Sequence, residues 1–280
     1  MIQFDRPTRP SDFEATVREH RAVIAKAAAR RQPLDWSARD VWKKYKGLFS
    51  AAQHRKCGYC ESKTAASQDG DVEHLAPKGE IWSLPNDPRK WGVEAEAGLA
   101  RLEAQSRERI VISTRGYWYL AYEWHNYVFA CNVCNSKYKL SFYPLKPRPR
   151  KGWAPSKRSR KHKTELLNCF DHPAPWRHFS YNVTTGTIGW KTPEGRATVA
   201  TCGLFRETLR QDRFEVIHDA ERLCCRIADD PNEINAWLDL VEIGGEDRSF
   251  AGAVRGVAED LLELNWEEIE AHALALAHDR

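Results

Sequence analysis

The chain has 280 residues, of which 42% are hydrophobic and 29% are charged, a composition that supports a buried core and excludes disorder of the whole chain. No run approaches the roughly 20 apolar residues that span a bilayer, and the first residues, MIQFDRPTRP, lack the apolar core of a signal peptide, so we expect a cytoplasmic protein without membrane contact. The formal net charge of +4 is small, but it hides one concentrated basic segment.

Two helices are predicted in residues 1–56, before the first cysteine pair. The first covers residues 11–31, where apolar side chains fall on one side of an Arg- and Ala-rich sequence. The second begins at Ser37 and Asp40, which resemble a capping box. Its apolar residues recur at helical spacing: Val41, Trp42, Tyr45, Leu48 and Phe49.

Eight cysteines include two pairs with metal-ligand spacing, Cys57/Cys60 and Cys131/Cys134. A C-x-x-C turn presents two thiolates to one ion, so the two pairs together predict a closed tetrahedral structural zinc site. The alternative is two unrelated cysteine pairs in the core. The other four show no such spacing and are predicted to be small core residues: Cys169, Cys202, Cys224 and Cys225.

Residues 57–145 form the predicted central unit, with residues 79–115 as an insertion that carries a short helix near 93–106. Between the cysteine pairs stands Asp71-Val72-Glu73-His74, followed by Pro77 and Lys78. A carboxylate beside an imidazole can place a divalent cation next to a general base. In a regular strand Glu73 and His74 would point to opposite faces, so a shared site requires the strand to end or bulge there.

Further candidates follow the second half of the central unit. Asn126 precedes the second cysteine pair, and Asn135 comes directly after Cys134, so that a zinc knuckle would set its position rigidly. Lys137 and Lys139 follow, and together with Lys78 they are candidates for phosphate contacts.

A basic loop is predicted at residues 146–165, where prolines argue against a regular element. Nine basic residues and no acidic residue lie between 146 and 163, and without them the net charge would fall from +4 to −5. A solvated loop is one interpretation, and phosphate binding is the one we favour. The basic residues are Lys146, Arg148, Arg150, Lys151, Lys157, Arg158, Arg160, Lys161 and Lys163.

Residues 166–280 predict a β-hairpin followed by helices. Alternating apolar residues on both sides of Thr185-Gly186 indicate the hairpin. Apolar residues then recur at helical intervals near 209–227, 234–238 and 250–261. The predicted fold class is therefore α+β, a zinc-stapled centre in a mainly helical chain with an additional β-hairpin.

The order of cysteine pair, Glu73-His74, Asn126 and Cys131-Asn132-Val133-Cys134-Asn135 resembles the HNH nucleases of the His-Me finger, or ββα-metal, class. The resemblance covers roughly residues 57–145 and implies a metal-dependent endonuclease. His74 would be the general base, Glu73 and Asn135 would hold one Mg²⁺ or Mn²⁺, Asn126 would fix the loop that carries the base, and the four cysteines would bind zinc. The family pattern favours Asp before the histidine and often His at the last position, where Glu73 and Asn135 stand here.

A wider resemblance, over about residues 50–215, is to the HNH subunit of Septu-type and retron-associated anti-phage systems. It rests on Trp118–Trp124, Phe142–Leu145, Leu166–Asn168 and Cys202–Leu204. It implies DNA as the substrate, with RNA left open, and a partner ATPase subunit. The chain itself has no Gly-rich Walker loop for ATP.

Two alternative functions use some of the same residues. A non-catalytic zinc module that binds nucleic acid would need the cysteines and the basic loop but not Glu73, His74 or Asn135. A zinc-dependent nucleobase deaminase needs His-x-Glu and Pro-Cys-x-x-Cys. Leu75 and Ala76 follow His74, and Ala130 precedes Cys131, so the sequence excludes the deaminase.

Overall fold

The computed structural model describes residues 1–64, 70–85, 87, 90, 108–156 and 162–278. These residues form an α+β fold of α-helices, short 3-10 turns and two-stranded antiparallel sheets, which confirms the predicted fold class at that level. Within the described ranges, no helix combines the length and the apolar character needed to cross a membrane.

The N-terminal segment contains one long helix and one short one. Helix α1 spans Phe13–Ala29 and buries the apolar side predicted from the sequence. The second element starts as a 3-10 turn, Val41–Tyr45, and becomes helix α2 at Lys46–Ala52. The predicted capping box is wrong, because the hydroxyl of Ser37 donates to Asp35 and Asp40 caps no backbone N–H.

Two antiparallel strands and a short helix form the centre. Strand β1, Asp71–His74, pairs with β4, Tyr127–Ala130, and Glu73 faces Val128 in the ladder while His74 faces Tyr127. A π-helix, Val133–Lys139, follows β4 directly. The order along the chain is therefore strand, strand, helix, and the second cysteine pair lies at the last junction.

The predicted insertion contributes a second strand pair. Strand β2, Ile81–Ser83, pairs with β3, Ile110–Ser113, in antiparallel register. The helix predicted near 93–106 lies outside the described residues.

The basic segment is anchored at both ends. Strand β5, Leu145–Lys146, pairs with β6, Lys163–Thr164. The expectation of an irregular loop throughout is therefore wrong at its ends, where the two short strands pair.

The C-terminal part carries the predicted hairpin and five helices among its described residues. Strands β7 and β8, Phe179–Tyr181 and Ile188–Trp190, pair in antiparallel register, which confirms the hairpin. The helices are α3 Pro193–Cys202, α4 Glu207–Asp229, α5 Ile234–Ile243, α6 Ala251–Leu262 and α7 Trp266–His278. Helices α3 and α7 were not predicted from the sequence.

One large cluster of buried hydrophobic residues includes residues from the N-terminal, central and C-terminal parts of the chain. It joins Phe13 of α1, Trp124 and Tyr127 at the start of β4, and Trp266 of α7. The ring of Phe13 packs edge-on against Trp124 with centroids 5.1 Å apart. The terminal segments therefore support the central strands instead of forming separate bodies.

Candidate active site and metal centre

Four buried cysteines meet at one point of the structure. The Sγ atoms of Cys57, Cys60, Cys131 and Cys134 all lie within 4.8 Å of one another, and those of Cys60 and Cys131 are 3.9 Å apart. Zn–S bonds of about 2.3 Å in a tetrahedron give an S–S distance of roughly 3.8 Å. The four residues predicted as zinc ligands therefore form a cluster that could bind a zinc ion.

The first cysteine turn is clipped to β4 by main-chain and side-chain hydrogen bonds. The N–H of Gly58 donates to the carbonyl oxygen of Phe129 at 2.9 Å. Gln53, buried at the end of α2, donates to that same carbonyl and accepts from the N–H of Phe129, both at 2.8 Å. A Cβ at position 58 would lie 2.5 Å from a methyl group of Val128, so only glycine permits this approach. Sequence analysis did not identify Gln53.

Arg206 adds a positive charge at the cysteine cluster. Its guanidinium donates to Sγ of Cys134 at 3.5 Å and to the carbonyl oxygen of Gly203 at 3.0 Å. Burial opposes the charge, but the sulfur groups of Cys134, Cys60 and Cys131 outweigh it and raise the pKa of Arg206 above its usual range. Its position at the junction of α3 and α4, more than 70 residues from Cys134, left no sequence signal for this contact.

His74 lies at the last position of β1, and its side chain is buried. Its ring packs edge-on against Trp42, with centroids 4.6 Å apart, and against Tyr127 at 5.3 Å. Burial and the nearby charge of Lys78 hold the pKa of His74 well below its usual value, so the ring is neutral near pH 7. Nε2 lies 3.0 Å from the carbonyl oxygen of Ala121. A carbonyl only accepts, so Nε2 carries the hydrogen and Nδ1 carries the lone pair.

Asn126 fastens the segment that follows His74. Its side-chain oxygen accepts from the N–H of Ala76 at 2.7 Å, and its amide nitrogen donates to the carbonyl oxygens of Ala76 and Leu120 at 3.1 and 3.0 Å. The N–H of Leu75 donates to the main-chain oxygen of Asn126 at 2.9 Å. Leu75 and Ala76 are therefore held by the main chain and the side chain of one buried residue, Asn126.

Glu73 is paired with a buried lysine. The ammonium of Lys139, a residue with 0% exposure at the end of the π-helix, forms an ion pair with the Glu73 carboxylate and donates to the carbonyl oxygen of His74 at 2.9 Å. The prediction that Lys139 contacts a phosphate is wrong in this structure, because its ammonium faces the interior. The Lys139 side chain instead links the end of the π-helix to the end of β1.

A site shared by Glu73 and His74 requires β1 either to end or to bulge at these residues, and the strand ends there. Strand β1 pairs in regular register with β4 up to His74 and ends there. Asn135 lies on the π-helix, and its N–H donates to the carbonyl oxygen of Cys131 at 2.9 Å. The first turn of that helix is thus fixed by a residue of the cysteine cluster.

Lys78 is linked to His74 through a tryptophan. Its ammonium lies 4.4 Å from the centre of the Trp42 ring, which also packs against His74, and 5.7 Å from the centre of the Trp36 ring. Burial lowers the pKa of Lys78, although the carboxylates of Glu73 and Asp71 oppose this. Lys78 therefore places a cation beside the candidate site, and Lys137 stands exposed on the π-helix.

The basic segment contains one half-buried arginine and several exposed basic residues. Arg148 is half-buried and donates to the carbonyl oxygen of Leu84, so it has a structural partner. Lys146, Arg150, Lys151 and Lys163 are exposed, and the Lys146 ammonium lies 3.8 Å from a carboxylate oxygen of Glu165. The remaining predicted phosphate-binding residues of the segment lie outside the described residues: Lys157, Arg158, Arg160 and Lys161.

Comparison with known proteins gives one informative similarity. No protein-family model matches the sequence. The chain is similar to the Septu protein PtuB of Bacillus mycoides (strain KBAB4), with 25% identity over 249 residues. The alignment covers 86% of this chain and 76% of that relative, so it must include residues 57–145 and much of the helical part that follows.

Proposed function

We propose that the chain is a metal-dependent HNH endonuclease that hydrolyses phosphodiester bonds of DNA. The observation that carries the proposal is the arrangement around β1. His74 ends the strand with its Nε2 bound to Ala121, Asn126 holds the next two residues, and a helix bearing Asn135 follows β4. The succession of β1, β4 and the π-helix supports a ββα-metal core.

His74 acts as the general base in this proposal. Because Nε2 is committed to a carbonyl oxygen, Nδ1 is the atom that takes a proton from the attacking water. A neutral ring is required for this step, and burial of His74 favours the neutral form. Asn126 fixes the main chain at Ala76 and so limits the movement of the base.

Glu73 and Asn135 would hold one Mg²⁺ or Mn²⁺. A carboxylate and an amide oxygen are donors that such hard cations prefer, so the residue types fit the ion. When bound, the cation supplies neutralisation of charge on the scissile phosphate and on the leaving oxygen. The ammonium of Lys139 pairs with the Glu73 carboxylate and orients it.

The zinc ion proposed at the four cysteines has a structural role. It would join the turn after α2 to the start of the π-helix, and hence fix Asn135 relative to β1. The exposed basic residues Arg150, Lys151 and Lys163, together with Lys78 and Lys137, supply positive charge for the DNA backbone.

The biological role we propose is anti-phage defence of the Septu type. The similarity to a Septu PtuB protein over most of the chain supports this role. A partner ATPase subunit would then supply the ATP-dependent step, since the sequence has no Walker loop of its own.

The proposal is tested by incubating supercoiled plasmid with the purified chain, alone and with a co-expressed partner ATPase. We expect nicked or linear product only when Mg²⁺ or Mn²⁺ is added, and loss of that product in Glu73→Gln. Binding of DNA without cleavage under every condition would contradict the nuclease and support a non-catalytic zinc module.

A further inference from the structure

A groove of about 430 Å³ crosses the start of β1 beside the candidate site. We call the side formed by the 3-10 turn and α2 one wall, the start of β1 with Gly70 the floor, and the start of the π-helix with Asn132 the other wall. The lining residues are Lys43, Lys46, Gly70, Asp71, Asn132 and Ser136. The lysine wall belongs to the N-terminal segment, outside the residues to which the sequence assigned any function.

The two walls offer complementary chemistry for a phosphodiester backbone. Lys43, with 57% exposure, and the half-buried Lys46 place two ammonium groups on one side. The Lys43 ammonium pairs with Asp40 at 2.6 Å, and an exposed pair of this kind is weak enough for a phosphate to replace the carboxylate. Asn132 and Ser136 are exposed on the other side and can donate neutral hydrogen bonds to phosphate oxygens. The carboxylate of Asp71 on the floor already accepts from the N–H of Val72 at 2.7 Å.

The groove also leads toward the candidate catalytic residues. Asp71 and Glu73 are two residues apart on a regular strand, so their side chains lie on the same face of β1. Ser136 directly follows Asn135, which we assigned to the catalytic cation. A strand of DNA that lies in the groove would therefore pass next to Glu73 and Asn135, the two residues that we assign to the catalytic cation.

We propose that this groove holds the DNA strand that flanks the scissile phosphate, with Lys43 and Lys46 as its backbone contacts. The inference rests on the proposed endonuclease function and deepens it. It makes the N-terminal segment part of the substrate site, in addition to its packing role under His74.

The test compares Lys43→Gln/Lys46→Gln with the matched control Lys44→Gln. Lys44 belongs to the same 3-10 turn, is 59% exposed and pairs with Asp12 much as Lys43 pairs with Asp40, but it does not line the groove. Binding of a fluorescent DNA duplex is measured by anisotropy in a His74→Ala background, across a range of salt concentrations. We expect the double variant to bind about ten-fold more weakly and its salt dependence to fall by about two counterions, with the control unchanged.

A second variant approaches the groove from the opposite wall. Ser136→Glu places a negative charge there without touching either lysine, and we expect it to weaken binding as well. Zinc content and circular dichroism are recorded for every variant, so that loss of folding is recognised. Equal affinity and equal salt slope for the double variant, Ser136→Glu and the control would overturn the groove assignment.

Cleavage by the His74-containing chain separates this inference from the proposed function. If the chain cleaves DNA but the groove variants bind normally, the groove assignment alone is wrong. If binding depends on both walls of the groove but no cleavage occurs with either metal, the groove stands as a DNA site and the nuclease mechanism fails.

Discussion

The imidazole Nε2 of His74 lies 3.0 Å from the main-chain oxygen of Ala121, and this contact decides which ring nitrogen has a free lone pair. The acceptor comes from the segment that precedes Asn126, the residue whose side chain fastens Ala76. The orientation of the ring and the path of the chain after it are thus set by neighbouring residues of one loop. Such support is what a general base needs if its position is to be maintained.

Replacement of Asn126 by Ala is expected to lower both stability and cleavage. The change leaves the N–H of Ala76 and two carbonyl oxygens without their present partner, at a cost of about 2 kcal/mol or more. We expect kcat to fall more than the affinity for DNA, since the residue supports His74 and does not face the groove. Urea unfolding and single-turnover cleavage measure the two effects.

The control for that experiment is Asn232→Ala, which removes an exposed side chain in the turn before α5. It should leave unfolding and cleavage unchanged. If Asn126→Ala behaves like this control, the amide does not support the catalytic loop.

Substitutions of Lys139 and Lys137 should have different effects, although both residues were predicted as phosphate contacts. Lys139→Met leaves the Glu73 carboxylate buried without its partner, which costs about 3 kcal/mol. Lys137→Gln removes an exposed charge, so it should reduce the salt dependence of DNA binding by about one counterion and leave stability unchanged. Thermal unfolding and anisotropy titrations distinguish the two, and a Lys139→Met protein as stable as the parent would contradict the buried pair.

Arg206→Ala is expected to weaken zinc binding by about 10- to 100-fold, because a donor that neutralises thiolate charge at Cys134 is lost. Competition with a chromophoric zinc chelator measures this affinity directly. The matched control is Arg210→Ala, one turn later on α4, where the guanidinium pairs with Glu207 at the surface. Equal zinc affinities for the two variants would show that Arg206 serves packing alone.

The parts of the structure that could be predicted are those recorded in local sequence patterns. Cysteine spacing indicated the cluster, and alternation around Thr185-Gly186 indicated the hairpin. These patterns work because a C-x-x-C turn and a two-residue period are properties of consecutive residues. The α+β class followed from the same local signals.

The rest depended on partners distant in sequence. The sequence does not distinguish Lys139 from a surface lysine, because its partner Glu73 is distant along the chain. Arg206 reaches the cysteines only because α3 packs beside the π-helix. The capping box at Ser37 failed for a local reason, since Asp35 accepts the hydroxyl of that serine and Lys43 pairs with Asp40. Competing side-chain partners of this kind are not ranked by a sequence motif.

The most direct measurement of the central claim is plasmid cleavage by His74→Ala beside His125→Ala, with Mg²⁺ and with Mn²⁺. His125 is an exposed histidine next to Asn126 and serves as the matched control, and zinc content is measured in both proteins. Loss of the general base should slow cleavage about 100- to 10,000-fold in His74→Ala at unchanged zinc content, with His125→Ala equal to the parent. Cleavage by His74→Ala at the parent rate would contradict the account.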